Sequence, residues 1–216
     1  MMIKEILEEE IIMEANTRQM LEGKPYTPDT EELYRYSRDG HRLSQDYNKT
    51  YDTETEQRQA ILDQLIPNHG KNMYLQGPIQ FDYGRFTTIG DNFYANFNFT
   101  VLDTCPVTIG DNVMIGPNVS LLTALHPLVA EQRILRRQPN GRLGDYEYGA
   151  PITIGDNSWL AGNVTVLPGV TIGAGSVIGA GTIVTKSVPE NSLVVGNPGR
   201  VIRKITEKDR LANFPY

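Results

Sequence analysis

Aliphatic side chains recur at every sixth position along residues 152–184, at Ile154, Leu160, Val166, Ile172, Ile178 and Val184. A helix repeats at about 3.6 residues and a half-buried strand at about two, so neither produces this spacing. A fixed longer period is the mark of a stacked repeat architecture. Glycine or another small residue follows most of the aliphatics, which suits short strands joined by tight corners. Three sixes make one triangular coil, and stacked coils bury the aliphatic row along a central axis. The pattern predicts a parallel β-helix.

The period returns upstream at Ile89, Ala95 and Val101, and again at Ile109, Ile115 and Leu121. The phase slips between Val101 and Ile109 by an amount that a wider corner absorbs. Between Leu121 and Ile154 it is broken by a long polar stretch. That stretch is predicted to be a loop thrown out of the coil over residues 127–150. Structureless loops longer than about 12–15 residues are uncommon and are often functional.

Composition agrees with a thin solenoid core. Only 39% of the 216 residues are hydrophobic, and 20 glycines and 13 prolines supply corners. The net charge of −6 argues against non-specific binding to nucleic acid. No apolar run approaches the ~20 residues of a membrane span. The Glu-rich N-terminus lacks a basic-then-apolar signal. The chain is therefore expected to be cytoplasmic, with no membrane partner. A single cysteine, Cys105, excludes a disulfide framework and is expected to be a small buried hydrophobe.

Residues 1–68 read as a helical segment. Ile3, Ile6, Leu7, Ile11, Met20 and Leu21 give an apolar stripe over Met2–Glu22 that Gly23 ends. Lys24–Pro28 is a connector. Asp29 or Thr30 is placed to cap a second helix carrying Leu33, Tyr36, Leu43 and Tyr47 on one face, with Gly40 as its weak point. Thr53 and Glu56 have capping-box spacing at the start of a third, whose face is Ile61, Leu62 and Leu65 and which Pro67 ends. An open first coil needs such a cap over its apolar core. Residues 69–204 form the β-helix. Residues 205–216 form a tail, and the stretch VIRKITEKDRLANF is expected to be a short amphipathic cover for the last rung, with Thr206 and Asp209 as its cap.

His is the side chain whose ordinary pKa suits base chemistry near neutrality. There are three. His41 lies in the helical segment and His69 in a turn, and both read as surface residues. His126 closes a hexapeptide row where the coil opens into the long loop.

The order of the helical cap, NFYANFN (92–98), LDTCPVTIGDNV (102–113), the His126–Pro127 pair, ITIGDNSWLAG (152–162), GVTIGAGSVIGAGTIVTK (169–186) and GNPGRVIRK (196–204) resembles the maltose/galactoside O-acetyltransferases, a branch of the hexapeptide-repeat acyltransferases. The likeness runs from about Leu21 to the end. It implies a mainly β fold: a left-handed parallel β-helix with an N-terminal α-helical cap and a short C-terminal helix. It implies a homotrimer that moves acetyl from acetyl-CoA to a sugar hydroxyl, with no metal. Two features depart from the family: a longer N-terminal helix and a longer loop after His126.

The resemblance makes His126 the general base. Glu147 is then either an orienter of the imidazole or an exposed loop acid, with Asp145 as a rival. Gly162 is either an oxyanion donor or a plain corner glycine. Asn96 matches an acceptor contact but also suits an asparagine ladder within the coil. Asp82, Tyr94 and Asp103 match acceptor-side positions. Asp29 matches one loosely, in competition with helix capping. Trp159 suits the pantetheine arm or a subunit interface. With Gly162, the acetyl-CoA positions are Ala180, Thr185, Lys186, Arg200 and Arg203. The basic ones among them suit a polyanion on an acidic protein, although a solvated basic tail gives the same composition. A xenobiotic acetyltransferase and a non-catalytic scaffold are the alternatives.

Overall fold

The computed structural model describes residues 14–138 and 141–214. Most of the expected helix over Met2–Glu22 lies outside these residues. Its described part, Ala15–Leu21, is helical.

The coil is a three-faced parallel solenoid. The first face stacks Asn68–His69, Thr87–Ile89, Val107–Ile109, Ile152–Ile154 and Thr171–Ile172. The second stacks Tyr74–Leu75, Tyr94–Ala95, Met114–Ile115, Trp159–Leu160, Val177–Ile178 and Ser192–Val195. The third stacks Ile79–Phe81, Phe99–Leu102, Ser120–Leu122, Thr165–Val166 and Ile183–Val184. In-register pairing places Ile89, Ile109, Ile154 and Ile172 in one inward column. Ala95, Ile115, Leu160 and Ile178 make the second column. Val101, Leu121, Val166 and Val184 make the third. All twelve lie in one buried core cluster. An earlier coil, His69, Leu75 and Phe81, pairs with Ile89, Ala95 and Val101. A histidine in its aliphatic slot hides this coil from the sequence.

Two small-residue positions in each six do different work. The third residue after the inward aliphatic takes the left-handed conformation: Asn92, Asn98, Asn112, Asn118, Asn157 and Asn163 have φ between 55° and 60°. Asparagine tolerates that region because its side chain bonds locally. Here the amides also form an exposed ladder up the coil, as in Asn92 to Asn112 at 2.9 Å and Asn98 to Asn118 at 2.8 Å. The glycine directly after the aliphatic is needed for close approach. A Cβ on Gly155 would lie 2.5 Å from the Ala174 nitrogen of the next coil.

The helical segment closes the first coil. Thr30 caps the long helix Glu31–Asn48 by accepting the Leu33 N–H at 3.3 Å, so Asp29 is not the cap. Gly40 is no weak point. The helix backbone crosses the coil there, and a Cβ would stand 2.8 Å from the Asp82 and Tyr83 carbonyl oxygens. The next helix, Thr55–Leu65, starts after Glu54 without a side-chain cap, so the expected Thr53–Glu56 box does not form. Its Arg58 is buried and donates to the Tyr47 hydroxyl and the Leu75 and Gln76 carbonyls. The two carbonyls belong to the first coil, and Arg58, with the Tyr47 hydroxyl that also donates to Leu75, ties the helices to them. At the other end, Arg200–Lys204 is a strand that returns antiparallel onto Ser192–Val195, where an amphipathic tail was expected. Pairing covers an otherwise open strand edge. Among the described residues only the three-residue 3-10 turn Glu207–Asp209 follows, and Thr206 and Asp209 form its capping box.

Candidate active site

The extruded loop is zipped at its base. Ala124–Leu125 pairs antiparallel with Tyr148–Gly149, which sets His126 opposite the acidic run Asp145–Glu147. The His126 ring is half-exposed, with Nδ1 3.6 Å from Oδ2 of Asp145. Ligand-type atoms of His126, Asp145 and Glu147 all lie within 4.8 Å of one another. Both rival carboxylates therefore lie close to the imidazole, and Asp145 makes the ion-pair contact. Glu147 accepts a hydrogen bond from the Tyr26 hydroxyl at 2.6 Å. Burial pushes the Glu147 carboxyl above its ordinary range, opposed by the Tyr26 hydrogen bond and the His126 charge. Burial and the Glu147 charge push the Tyr26 phenol far upward, so it remains a donor. A groove of about 630 Å³ opens beside the histidine, lined by Pro25, Pro127, Leu128, Val129, Tyr146 and Tyr148.

Asp82 stands on the same corner of the solenoid. Its carboxylate lies 3.7 Å from His41 Nε2, and burial raises its pKa. His41 is exposed, as expected, and its contact with Asp82 joins the cap to this corner. Asp103 departs from its expected place among acceptor contacts. It is wholly buried and accepts the N–H groups of Tyr83 at 2.9 Å and Gly84 at 3.2 Å and the Thr87 hydroxyl at 3.0 Å. A carboxylate occupied by three donors of its own chain holds the corner and faces no groove. Cys105 is buried, as expected, and its thiol donates to the Met20 carbonyl. Asp29 sits 3.9 Å from Arg142 of the extruded loop.

The remaining candidates occupy other parts of the prism. The Asn96 N–H donates to Ile115, Gly116 to Leu160, Ala161 to Ile178 and Gly179 to Val194. These residues therefore stack on the corner between the second and third faces, and Gly162 and Ala180 follow directly after Ala161 and Gly179. Among the described residues, neither the Gly162 nor the Ala180 N–H makes a backbone hydrogen bond. Asn96 bonds the following Phe97 N–H and stays out of the asparagine ladder. Trp159 projects from the second face at 48% exposure, in register with Tyr94 and Met114. Tyr94 stacks on Tyr74 at 6.0 Å. His126 follows the corner between the third and first faces. At about 3.3 Å per residue, the edge separating the two corners spans roughly 15–20 Å. A single chain thus brings His126, Asp145, Glu147 and Asp82 together, but not Asn96, Trp159, Gly162 and Ala180 with them.

Thr185 and Lys186 are exposed at the end of the third face. Arg200 and Arg203 lie on the return strand. Arg203 is held by Asp209 at 2.7 Å, while Arg200 donates to the Pro198 and Gly199 carbonyls. Tyr26 is the member of the site that sequence reasoning missed. It comes from the cap, and only the chain's three-dimensional path shows that it meets Glu147.

A parallel β-solenoid of six-residue repeats, with a histidine at the mouth of an extruded loop, defines the hexapeptide-repeat transferase class. Residues 151–186 match the bacterial transferase hexapeptide, residues 106–122 the hexapeptide repeat of succinyl-transferase, and residues 19–70 the maltose acetyltransferase hexapeptide capping motif. The chain is 42% identical over 194 residues to the galactoside O-acetyltransferase of Escherichia coli (strain K12), covering 90% of this chain and 91% of that one. It is 36% identical over 185 residues to the galactoside O-acetyltransferase of Lactococcus lactis, covering 85% of each. A solved galactoside acetyltransferase in complex with coenzyme A superposes with a TM-score of 0.84 at 40% identity, over 94% of this chain and 96% of that one. A maltose O-acetyltransferase from Clostridium difficile 630 gives 0.82 at 43%, over 90% and 99%. The chain belongs to the maltose/galactoside O-acetyltransferase family and is an acyltransferase.

Proposed function

We propose that this protein transfers acetyl from acetyl-CoA to a sugar hydroxyl by direct attack, with His126 as general base, in a cytoplasmic homotrimer. The observation that carries this reading is the imidazole set against Asp145 and Glu147 at the edge of an open groove. A hydroxyl is a poor nucleophile until its proton leaves. His126 takes that proton as the oxygen bonds to the thioester carbonyl carbon. The resulting oxyanion collapses, the carbon–sulfur bond breaks, and the imidazolium returns the proton to the departing thiolate. The two carboxylates hold the ring tautomer and balance the charge it gains. No step needs a metal.

The separation of corners supports a site shared between subunits. Gly162 and Ala180 of one protomer, with free backbone donors, would face His126 of another, and an N–H at the carbonyl stabilises the oxyanion. Side-chain chemistry suggests which face meets the neighbour. The second face carries Tyr74, Tyr94, Met114 and Trp159 outward. The first presents Thr88, Thr108, Thr153 and Thr171. An exposed apolar row on one face marks an interaction surface. Lys186, Arg200 and Arg203 supply charge for the phosphates of CoA. Asn96, Asp82 and Tyr94 supply hydrogen bonds for the acceptor, and Asp29 borders the loop that encloses it.

A thiol-release assay with acetyl-CoA and a panel of sugars, aminoglycosides and chloramphenicol tests the reading. Release with sugars is expected. Release with the drugs alone would make it a xenobiotic acetyltransferase, and the absence of thiol release with every acceptor would make it a scaffold.

A further inference from the structure

The helical cap reaches the reaction centre through one phenol. Tyr26 lies 121 positions from Glu147 in sequence, yet it is joined to it three times. Its N–H donates to the Glu147 carbonyl at 2.9 Å, the Glu147 N–H donates to its carbonyl at 3.0 Å, and its hydroxyl donates to Glu147 Oε2 at 2.6 Å. Tyr26 is 1% exposed and packs with Met20, Leu33 and Tyr83 in a small core separate from that of the coil. The backbone pairing alone would fix the base of the loop. It requires no hydroxyl. A tyrosine buried to this degree needs a partner for its O–H, and a leucine or phenylalanine would fill the space without one. The partner present is a carboxylate beside the imidazole.

We infer that Tyr26 is a positioning residue for acyl transfer: its hydroxyl holds the Glu147 carboxylate ionised and aimed at His126, so that the cap is part of the catalytic apparatus as well as a lid on the coil. This rests on the sugar-acetyltransfer reading of the site. The groups facing Glu147 are Tyr26 from the cap, His126 and Asp145 from the loop base, and Asp82 and Tyr83 from the neighbouring corner of the coil. Tyr26 is a neutral donor, and Asp145 and Asp82 are acids that oppose a further negative charge. Burial opposes it too. The Tyr26 hydrogen bond works against all three, since a donor to the charged form favours that form.

Glu147 orients the base only while it is ionised, so loss of the Tyr26 donor lets its carboxylate protonate at higher pH. Tyr26→Phe keeps the ring and its packing. It should lower kcat about tenfold while leaving the KM for acetyl-CoA within about twofold, and it should move the acid limb of the rate profile to higher pH. In a Glu147→Gln background, Tyr26→Phe should have no further effect on kcat. Lower thermal stability with an unmoved acid limb and unchanged kcat would assign Tyr26 to packing alone and overturn the inference. If the wild type releases no thiol with any acceptor tried, the functional reading fails, and the coupling is then read by NMR titration of the His126 ring. A displaced curve in Tyr26→Phe supports it, and superimposed curves overturn it.

Discussion

Oδ2 of Asp145 stands 3.6 Å from Nδ1 of His126, across the antiparallel pairing that closes the base of the extruded loop. The contact leaves Nε2 as the nitrogen available to take a proton from an acceptor. His126→Ala should lower kcat by about 10²–10⁴-fold with acetyl-CoA still bound. Asp145→Asn, which keeps the shape and removes the charge, should cost less than removal of the histidine itself. Steady-state kinetics with calorimetric binding checks both, and an alanine variant with near-normal turnover would remove His126 from the mechanism.

Asp103 makes stability depend on pH in a direction opposite to that of most carboxylates. Burial raises its pKa from 3.8 to about 6 in the fold, despite the donors around it. Below about pH 4 it is protonated folded or unfolded. Between about pH 4 and pH 6 the native state keeps a proton that the unfolded chain releases, so its contribution falls as pH rises. The loss is complete above about pH 6 and amounts to ~3 kcal/mol for a shift of about two units. Asp103→Asn has no such proton. Its stability relative to wild type should therefore rise by about that amount between pH 4 and pH 7, read by denaturant unfolding at fixed protein concentration. Parallel stability profiles would contradict this.

Two glycines separate coil stability from chemistry. A Cβ on Gly110 would fall on the Asp156 side chain and 2.8 Å from the Asp156 nitrogen. Gly110→Ala should destabilise by about 1–3 kcal/mol through overpacking. A Cβ on Gly162 meets Pro117 at 3.4 Å, an ordinary contact. Gly162→Ala should therefore keep its melting temperature. If the thioester passes over that corner, activity should still fall by about 10²-fold, the cost of a reactant displaced by about 1 Å. Full activity would leave Gly162 as a corner residue only.

Salt should distinguish the two arginines of the return strand. Arg203 is already bound by Asp209 at 2.7 Å, whereas Arg200 is engaged by backbone carbonyls. Screening weakens an exposed charge pair as ionic strength rises. Acetyl-CoA binding measured by calorimetry across a salt series should lose more of its salt dependence in Arg200→Ala than in Arg203→Ala. Equal slopes for both variants and the wild type would place the phosphates elsewhere.

The coil was legible because its rule is local. An inward aliphatic every sixth residue and a small residue at each corner can be counted along the chain. Where the rule is broken, reading fails in a traceable way. His69 occupies an aliphatic slot and hides the first coil. Gly40 looks like a defect in its helix because its reason is the Asp82 backbone, far away in sequence. The VIRK stretch looks amphipathic, and the need to cover a strand edge makes it a strand. Asp103 matched a position for acceptor contact, and burial gives it to the corner instead.

The sequence by itself determined the solenoid, its inward columns, the extrusion of the loop and the histidine at its mouth, because each follows from periodicity or its interruption. Only the tertiary structure decided which groups surround that histidine. Tyr26 reaches its neighbourhood through the path of the cap, Asp82 through the stacking of an earlier coil, and Asp145 and Glu147 through the closing of the loop on itself. Those contacts depend on distances between residues remote in the chain, and no repeat within the sequence encodes such distances.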